Sequence, residues 1–340
     1  MAELLADHTT LRLGGPARAW VRATTEQELT EALAATTGPL LVLGGGSNLV
    51  VADAGFDGTV VEVATWGLRA DVEDGEDPTC GGVLVTVAAG EDWDGFTAYA
   101  VEHGWVGVEA LAGIPGRVGA TPIQNVGAYG QEVSQTIARV RVWDRTLQGV
   151  RTFAGAECRF GYRTSRFKAD PGRHVVLDVT FQLRQGSLGA PVEYAELART
   201  LGVEPGQRAP LAEVREAVLA LRRGKGMVLD PADHDTWSAG SFFTNPVVEP
   251  GALPEGAPRW PQPDGRVKTS AAWLIEHAGF AKGYAAGAVG ISTKHPLALT
   301  NRGGGRTEEL LALAREVRDG VERRYGIRLV NEPVLVGAEL

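Results

Sequence analysis

The sequence of 340 residues predicts an α+β protein. Strand, helix and strand patterns come first and are followed by hairpin patterns, an order typical of an α+β domain over about residues 15–185. Beyond that domain, further helical patterns end in a terminal strand pattern. With 44% hydrophobic residues, a chain of this length can bury two or three separate cores.

The chain begins with a predicted strand pair and a capped helix. Residues 9–20 match a strand, a Gly-Gly-Pro turn and a second strand. Thr25 and Glu28 match a capping box, which predicts a helix that extends to Ala34 or so. Gly38 is the candidate C-cap of that helix.

A glycine-rich turn follows a buried strand pattern at residues 39–43. It does not match the dinucleotide-binding fingerprint, because Leu49 stands where the third glycine is required. The turn can still direct backbone N–H groups at a pyrophosphate, although a plain tight turn is the alternative. Its residues are Gly44, Gly45, Gly46, Ser47 and Asn48.

The next elements complete the predicted α+β domain. Asp92 is placed to cap a helix in which Trp93, Phe96 and Ala100 share one face. The other elements predicted here are strands at residues 83–88 and 175–183 and a hairpin of strands at residues 137–143 and 150–153.

The most informative segment is residues 108–130, VEALAGIPGRVGATPIQNVGAYG. It holds five glycines and two prolines, with apolar residues between them. Glycine lets the backbone approach a ligand closely, and buried irregular backbone must find partners for its N–H groups. The segment therefore indicates backbone laid against something flat and anionic, with an ordinary surface loop as the alternative.

The last part of the chain changes character. Residues 185–210 are polar and turn-rich, and residues 211–223 match an amphipathic helix. Further helices are predicted at residues 270–277 and 307–325, and a terminal strand lies in IRLVNEPVLVG. A third unit therefore begins near Met227.

The bulk properties exclude several functional classes. A net charge of −9 disfavours a nucleic-acid groove or an anionic membrane surface. No apolar run reaches the ~20 residues that a membrane span needs, and the N-terminus lacks the features of a secretory signal. Cys80 and Cys158 alone cannot form a disulfide framework or a four-cysteine zinc site. We expect a cytoplasmic protein that binds no metal and forms a monomer.

Five segments of the sequence match one family in order. IPGRVGATPIQNVGAYGQEV resembles the flavin-binding segment of the UDP-N-acetylenolpyruvoylglucosamine reductases, which act in peptidoglycan precursor synthesis. LGGGSNLVVAD, CRFGYRTSRFK, AGSFFTNPVV and KTSAAWLIEHAGF match further segments of that family. Together they span nearly the whole chain.

The resemblance implies a two-lobed FAD-binding fold like that of vanillyl-alcohol oxidase, followed by a C-terminal α+β substrate domain. The implied domains are residues 1–66 and 67–225 for the two lobes, with a lid insertion near 186–210, and 226–340 for the substrate domain. The terminal strand of that domain would return a catalytic glutamate to the active site. The implied cofactors are non-covalent FAD and, as reductant, NADPH. Besides the glycine turn, the implied FAD contacts are Gly113, Ile114, Pro115, Gly116, Gly119, Ala120, Gln124, Asn125, Gly127, Ala128 and Tyr129.

The resemblance also implies three catalytic residues: Arg163, Ser241 and Glu332. In this family, hydride passes from NADPH to flavin and then to C3 of the enolpyruvyl group of UDP-N-acetylglucosamine enolpyruvate. Negative charge then develops at C2, where Arg163 would stabilise it and a protonated or hydrogen-bonded Glu332 would assist. Ser241 would deliver a proton to C2.

Four further residues match family contacts to the substrate. Lys225 and Lys268 match lysines at the diphosphate and the enolpyruvyl carboxylate, and Asn245 matches a contact to the uridine diphosphate. Tyr194 in VEYAEL matches the lid tyrosine of the type I enzymes, with an ordinary surface tyrosine as the alternative. Thr244 departs from the lysine often found there, and we assign it no role.

Two other functional classes stay open at this point. An oxidase of the same superfamily would attach FAD covalently through histidine or cysteine, but none of the six histidines and neither cysteine lies in the flavin motifs. A non-catalytic UDP-sugar-binding protein is the other alternative. The presence of all three catalytic residues argues against it.

Overall fold

The computed structural model describes residues 3–72, 82–285 and 287–340. The chain forms two compact units. The central unit comprises residues 18–45 and 58–223, and the C-terminal unit comprises residues 1–17, 46–57 and 224–340. Division into three domains stays a prediction, and it groups residues 1–17 and 46–57 differently from these two units.

The elements of both units, in chain order, confirm the α+β class. The helices of the described residues are α1 (Glu26–Ala35), α2 (Trp93–Glu102), α3 (Thr121–Gln124), α4 (Arg166–Ala169), α5 (Ala195–Leu201), α6 (Leu211–Gly224), α7 (Ala271–His277) and α8 (Thr307–Tyr325). The strands are β1 (Ala17–Ala23), β2 (Leu40–Leu43), β3 (Leu49–Val51), β4 (Phe56–Val63), β5 (Leu68–Val72), β6 (Gly82–Ala88), β7 (Trp105–Val106), β8 (Gly127–Ala128), β9 (Gln131–Glu132), β10 (Ile137–Asp144), β11 (Gly149–Ala154), β12 (His174–Gln185), β13 (Val247–Val248), β14 (Trp260–Pro261), β15 (Val267–Lys268), β16 (Val289–Ile291), β17 (Leu299–Asn301) and β18 (Val334–Val336).

The central unit is built on an antiparallel sheet in the order β11-β10-β12-β6-β5, with β7 also paired to β12. Alternate residues of β6 are buried, as expected of a strand with one face on the core. Helix α2 packs its apolar stripe on that face. The rings of Phe96 and Phe181 stack there, with 5.0 Å between their centroids. The predicted cap of α2 is confirmed, because the Asp92 carboxylate accepts the N–H of Gly95 at 2.8 Å.

The first predicted elements are correct only in part. The predicted capping box of Thr25 and Glu28 is present. The prediction that Gly38 is the C-cap was wrong, because the C-cap of α1 is Thr36. The φ of Thr36 is −84°, so the C-cap needs no glycine. The first predicted strand is absent. Arg12 adopts a left-handed φ of 53°, which interrupts the extended chain before β1.

The C-terminal unit packs around α7 and α8. The apolar stripe of α8 is buried in a core that includes Phe242 and Phe243. The N-terminal N–H groups of α8, at Thr307 and Glu308, donate to the carboxylate of Asp53, which satisfies donors that the helix itself leaves open. The terminal strand is shorter than its sequence pattern: β18 covers three residues and pairs in parallel with β3.

Candidate active site

Residues 108–130 form part of the core of the central unit. Leu111 and Val118 are fully buried, and the indole N–H of Trp93 donates to the carbonyl of Leu111 at 3.0 Å. The N–H of Gly113 donates to the carboxylate of Asp94 at 2.7 Å. These contacts fix the glycine-rich backbone against α2, so the segment is not an ordinary surface loop.

The end of that segment holds the guanidinium of Arg163. Its Nη2 donates to the carbonyl of Gly127 at 2.9 Å, and its Nη1 lies 3.4 Å from the carbonyl of Asn125. Lys168 joins the backbone of Arg163 to the glycine-rich segment. Its ammonium donates to the carbonyl of Arg163 at 3.0 Å and to the side-chain oxygen of Gln124 at 2.9 Å. The sequence analysis gave Lys168 no role.

Asn125 is almost completely buried and uses its side chain within the protein. Its amide nitrogen donates to Glu132 and to the carbonyl of Gly161, both at 2.9 Å, and its amide oxygen accepts the N–H of Ser134. Because both amide N–H donors are used internally, Asn125 ties the glycine-rich segment to the loop that carries Arg163. The predicted FAD contact of Asn125 stays a prediction and would have to involve its other atoms.

Arg222 on α6 adds a positive charge near this end of the segment. Burial lowers the pKa of Arg222 to about 10, the charges of Tyr129 and Asp94 oppose that effect, and Arg163 adds to it. The guanidinium therefore stays charged at neutral pH. The sequence showed only an arginine on an amphipathic helix, which is usually a solvated residue.

Two glycine segments approach each other in the central unit. A Cβ built on Gly45 would lie 2.8 Å from the Cα of Gly116, which real side chains do not tolerate. Among the described residues, we find no acceptor for the N–H groups of Gly44 and Gly45. Closely spaced backbone with available N–H donors fits the pyrophosphate of FAD.

The second half of the glycine turn belongs to the C-terminal unit. Gly46 has a φ of 60°, and its carbonyl accepts the N–H of Thr10 at 3.2 Å. The carbonyl of Asn48 accepts the N–H of Val334 at 2.9 Å, which joins the turn to β18.

The predicted FAD contacts differ in exposure. Gly46, Gly113, Gly119 and Asn125 are buried, Ala120 is exposed, and the half-buried ones are Gly44, Gly45, Ser47, Asn48, Ile114, Pro115, Gly116, Gln124, Gly127, Ala128 and Tyr129.

Ser241 and Glu332 lie on adjacent backbone segments of the C-terminal unit. The N–H of Glu332 donates to the carbonyl of Phe242 at 2.8 Å, and Phe243 forms an antiparallel bridge with Asn331. Ser241 and Glu332 are half-buried, whereas both phenylalanines are buried and anchor the segment. The fold thus brings together two residues that are far apart in sequence.

Two of the predicted substrate residues of the C-terminal unit, Asn245 and Lys268, lie near the start of α7. The amide oxygen of Asn245 accepts the N–H of Ala271 at 3.0 Å, so it caps α7 together with Ser270. Lys268 is half-buried in β15, paired with Val247 on one side and Trp260 on the other. Half-buried Lys225 directly follows α6.

Tyr194 lies at the start of α5, within the predicted lid at residues 186–210. Its side chain is exposed, and its ring contacts that of Tyr129 edge-on, with 5.4 Å between the centroids. Within the central unit, the predicted lid tyrosine therefore contacts the predicted flavin segment.

Glu109 fixes the base of the same insertion. Its carboxylate is fully buried and accepts the N–H groups of Gly107 and Ala190, both at 2.6 Å, and the side-chain amide of Gln131 at 2.9 Å. Among the described residues, its hydrogen-bond partners include no cation. The sequence analysis missed Glu109, although a glutamate within an apolar stretch is a recognisable signal of a buried polar role.

Replacing Glu109 with glutamine is expected to loosen residues 186–210. A glutamine amide has only one acceptor oxygen, and its NH₂ would face an N–H donor. Local opening of residues 186–210 should become about tenfold more frequent, which corresponds to the loss of one hydrogen bond to a charged acceptor. Limited proteolysis under native conditions measures this rate. Glu102→Gln, an exposed change at the end of α2, is the control, and equal cleavage of both variants would contradict the role of Glu109.

Some absences can be stated for the described residues. They form no helix that is long and apolar enough to cross a membrane. They also form no cluster of three histidine, cysteine, aspartate or glutamate side chains suited to a metal ion. Cys158 is a buried free thiol, and Cys80 lies outside the described ranges.

Two protein families match this chain. Residues 17–149 match an FAD binding domain. Residues 230–336 match the C-terminal domain of UDP-N-acetylenolpyruvoylglucosamine reductase.

Full-length relatives carry the same name. A UDP-N-acetylenolpyruvoylglucosamine reductase of Cutibacterium acnes is 60% identical and covers 99% of this chain and 90% of that protein. One from Thermobifida fusca is 57% identical and covers 99% of this chain and 97% of that protein. The crystal structure of UDP-N-acetylenolpyruvylglucosamine reductase from Thermus caldophilus is 27% identical, with a TM-score of 0.67, and covers 99% of this chain and 98% of that one.

Proposed function

This chain belongs to the UDP-N-acetylenolpyruvoylglucosamine reductase family, and we therefore propose that it reduces UDP-N-acetylglucosamine enolpyruvate to UDP-N-acetylmuramate. The reaction adds a hydride to C3 and a proton to C2 of the enolpyruvyl group. The product is a peptidoglycan precursor. The observation that carries the proposal is the pairing of the Ser241 and Glu332 segments through the Phe242 carbonyl.

The glycine segments fit FAD, which the family match to residues 17–149 also supports. The N–H groups of Gly44 and Gly45, beside Gly116, would hold its pyrophosphate. When bound, FAD supplies the relay that accepts hydride from NADPH and gives it to C3 of the substrate. The sequence contains no second dinucleotide motif, so NADPH and substrate would use the same cleft in turn.

Arg163 would stabilise the negative charge that develops at C2 and in the adjacent carboxylate. Its guanidinium is already held by the carbonyl of Gly127, so it would need little reorganisation during the reaction. A lysine at position 163 would present a single point charge in place of the planar guanidinium, which offers several N–H donors. Lys168 acts as a positioning residue, because it holds the backbone of Arg163.

Ser241 would donate the proton to C2, and Glu332 would assist in stabilising the enolate. A serine hydroxyl is a weak acid and can act as a donor only next to a strong base such as an enolate. The hydrogen bond to the Phe242 carbonyl fixes the two backbone segments that carry these residues relative to each other.

Charged and polar groups would bind the rest of the substrate. Lys225 and Lys268 would bind the diphosphate and the enolpyruvyl carboxylate as point charges. Asn245 would bind the uridine diphosphate through its amide N–H groups, since its oxygen already caps α7. Tyr194 would close over the bound substrate.

Tyr194→Phe is expected to raise the KM for the enolpyruvyl substrate about tenfold, the value of one hydrogen bond to a charged group. The ring contact with Tyr129 survives in phenylalanine, so the change reports the hydroxyl alone. Reduction of the bound FAD by NADPH should keep its rate. Tyr99→Phe, on α2, is the matched control, and equal damage to both half-reactions would assign Tyr194 a structural role.

The proposed reaction is tested by product analysis in D₂O. Protein, NADPH and UDP-N-acetylglucosamine enolpyruvate should give UDP-N-acetylmuramate with a solvent deuteron at C2. NMR of the purified product locates the label. Label at C3 is not diagnostic, because a hydrogen relayed through a flavin N–H would exchange with solvent. Failure to form the product, or a product without a deuteron at C2, would refute the proposal.

A further inference from the structure

A cationic cavity lies at the edge of the central unit, formed by β11, α4 and the start of β12. Its volume is about 450 Å³, which is within the range of small-molecule sites. None of the predicted FAD, substrate or catalytic residues lines it. Its ionisable lining residues are Arg151, Arg159, Arg166, Asp170, Arg173 and His174.

One of these arginines is neutralised by a buried carboxylate behind the wall. Arg173 donates from Nε and Nη2 to Asp144, at 3.1 to 3.2 Å. Burial alone would raise the pKa of Asp144, but the hydrogen bond from Arg173 and the N–H groups of Leu147 and Thr146 hold that pKa at about 2. Asp144 is therefore fully ionised and already saturated with donors.

Two of the three remaining arginines have no carboxylate partner among the residues that the structure describes. Arg159 and Arg166 form no ion pair with any carboxylate in the described part of the chain, and Arg151 only reaches Asp144 at 3.5 Å. Asp170 is exposed and lies 3.5 Å from Arg173. Four arginines therefore face two carboxylates.

An aromatic ring restrains two of the arginines at the cavity. The guanidinium of Arg166 lies 4.5 Å from the centroid of the Phe153 ring, and that of Arg151 lies 4.9 Å from it. Stacking on a buried ring restrains these side chains. His174 adds no charge at neutral pH, because burial lowers its pKa against the opposing effect of Asp144.

We propose that this cavity binds the phosphate group of a small phosphorylated metabolite, with Arg159 and Arg166 as its principal ligands. Arginines gathered at one cavity repel one another, and a dianion would neutralise that repulsion. The cavity is concave and small, so it suits a metabolite better than an acidic protein segment.

The site connects to the segment that carries Arg163. The hydroxyl of Ser165, in the cavity wall, donates to the carbonyl of Ile123 at 2.8 Å and accepts the N–H of Lys168. Lys168 in turn holds the carbonyl of Arg163. An anion bound at Arg166 would therefore restrain the short segment that positions Arg163 and thereby influence turnover.

Titration calorimetry of the purified holoenzyme with inorganic pyrophosphate tests the proposal. One binding event should weaken about 100-fold in Arg159→Gln/Arg166→Gln, because each charge-assisted hydrogen bond contributes about tenfold. Arg159→Lys/Arg166→Lys, which keeps both charges, should retain most of the affinity. Pyrophosphate binding at any other site should keep its affinity in every variant, because these changes affect only the cavity.

Arg69→Gln/Arg184→Gln is the charge-matched control. Arg69 lies on β5 at the opposite edge of the sheet, and Arg184 lies at the opposite end of β12 from the cavity. Equal weakening in this control would mean general surface electrostatics and would overturn the proposal. The proposal would also be overturned if the wild type showed no pyrophosphate binding that Arg159→Gln/Arg166→Gln weakens. Binding of an acidic peptide at Arg159 and Arg166 that pyrophosphate does not displace would overturn it as well.

Discussion

Ser241→Ala should carry out FAD reduction by NADPH at close to the normal rate and transfer hydride to the substrate about 10²- to 10⁴-fold more slowly. The first half-reaction protonates no carbon, whereas the second requires a proton at C2. The hydroxyl can be removed without disturbing the fold, because the segment is held by the backbone and the buried rings of Phe242 and Phe243. Anaerobic stopped-flow measurement of the two half-reactions separates the two effects.

Two variants sharpen this test. Ser241→Cys should recover part of the lost rate, because a thiol can also donate a proton. Thr244→Ala removes another hydroxyl from the same segment and should slow neither half-reaction appreciably. Within the described residues, that hydroxyl bonds only the carbonyl of Val330, at 3.3 Å. A Ser241→Ala variant that reoxidises normally, or one that fails at FAD reduction, would exclude Ser241 as the proton donor.

Gly45→Ala is expected to weaken FAD binding about 10- to 100-fold, the effect of about 1–3 kcal/mol of overpacking. The added methyl would meet the Cα of Gly116 at 2.8 Å, which forces apart the two backbone segments proposed to hold the pyrophosphate. The FAD content of the purified protein and its titration into apoprotein measure the effect.

Gly38→Ala is the matched control for this change. A Cβ there would lie 3.8 Å from Arg18 and clash with nothing, so FAD binding should be unchanged. Thermal unfolding of both apoproteins separates a local effect on the cofactor site from a general loss of stability. Normal FAD affinity in Gly45→Ala would rule out this approach of the two segments as the pyrophosphate site.

Local features of the fold could be predicted from the sequence because their causes lie within a few residues. Asp92 caps α2 through the N–H of Gly95, and the stripe of α8 repeats at helical spacing. Gly38 was misassigned because a glycine after a helix suggests a C-cap even when the helix has already ended in an extended residue. The left-handed turn at Arg12 gave no such local signal.

The candidate site was less predictable, because tertiary contacts define it. Ser241 and Glu332 are neighbours through the backbone pairing of their two segments, and no spacing in the sequence connects them. Family resemblance alone grouped them. The supporting roles of Glu109 and Lys168 depend on partners far along the chain, so the sequence could indicate at most that Glu109 is a buried polar residue.

The central claim is that one protein passes hydride from NADPH to the enolpyruvyl group through bound FAD. Its most direct test is a single-turnover experiment without oxygen. One equivalent of NADPH should bleach the flavin absorbance of the purified protein, and UDP-N-acetylglucosamine enolpyruvate should then restore it with formation of UDP-N-acetylmuramate. Flavin that stays bleached after the substrate is added, or a protein that takes up no FAD, would contradict the account.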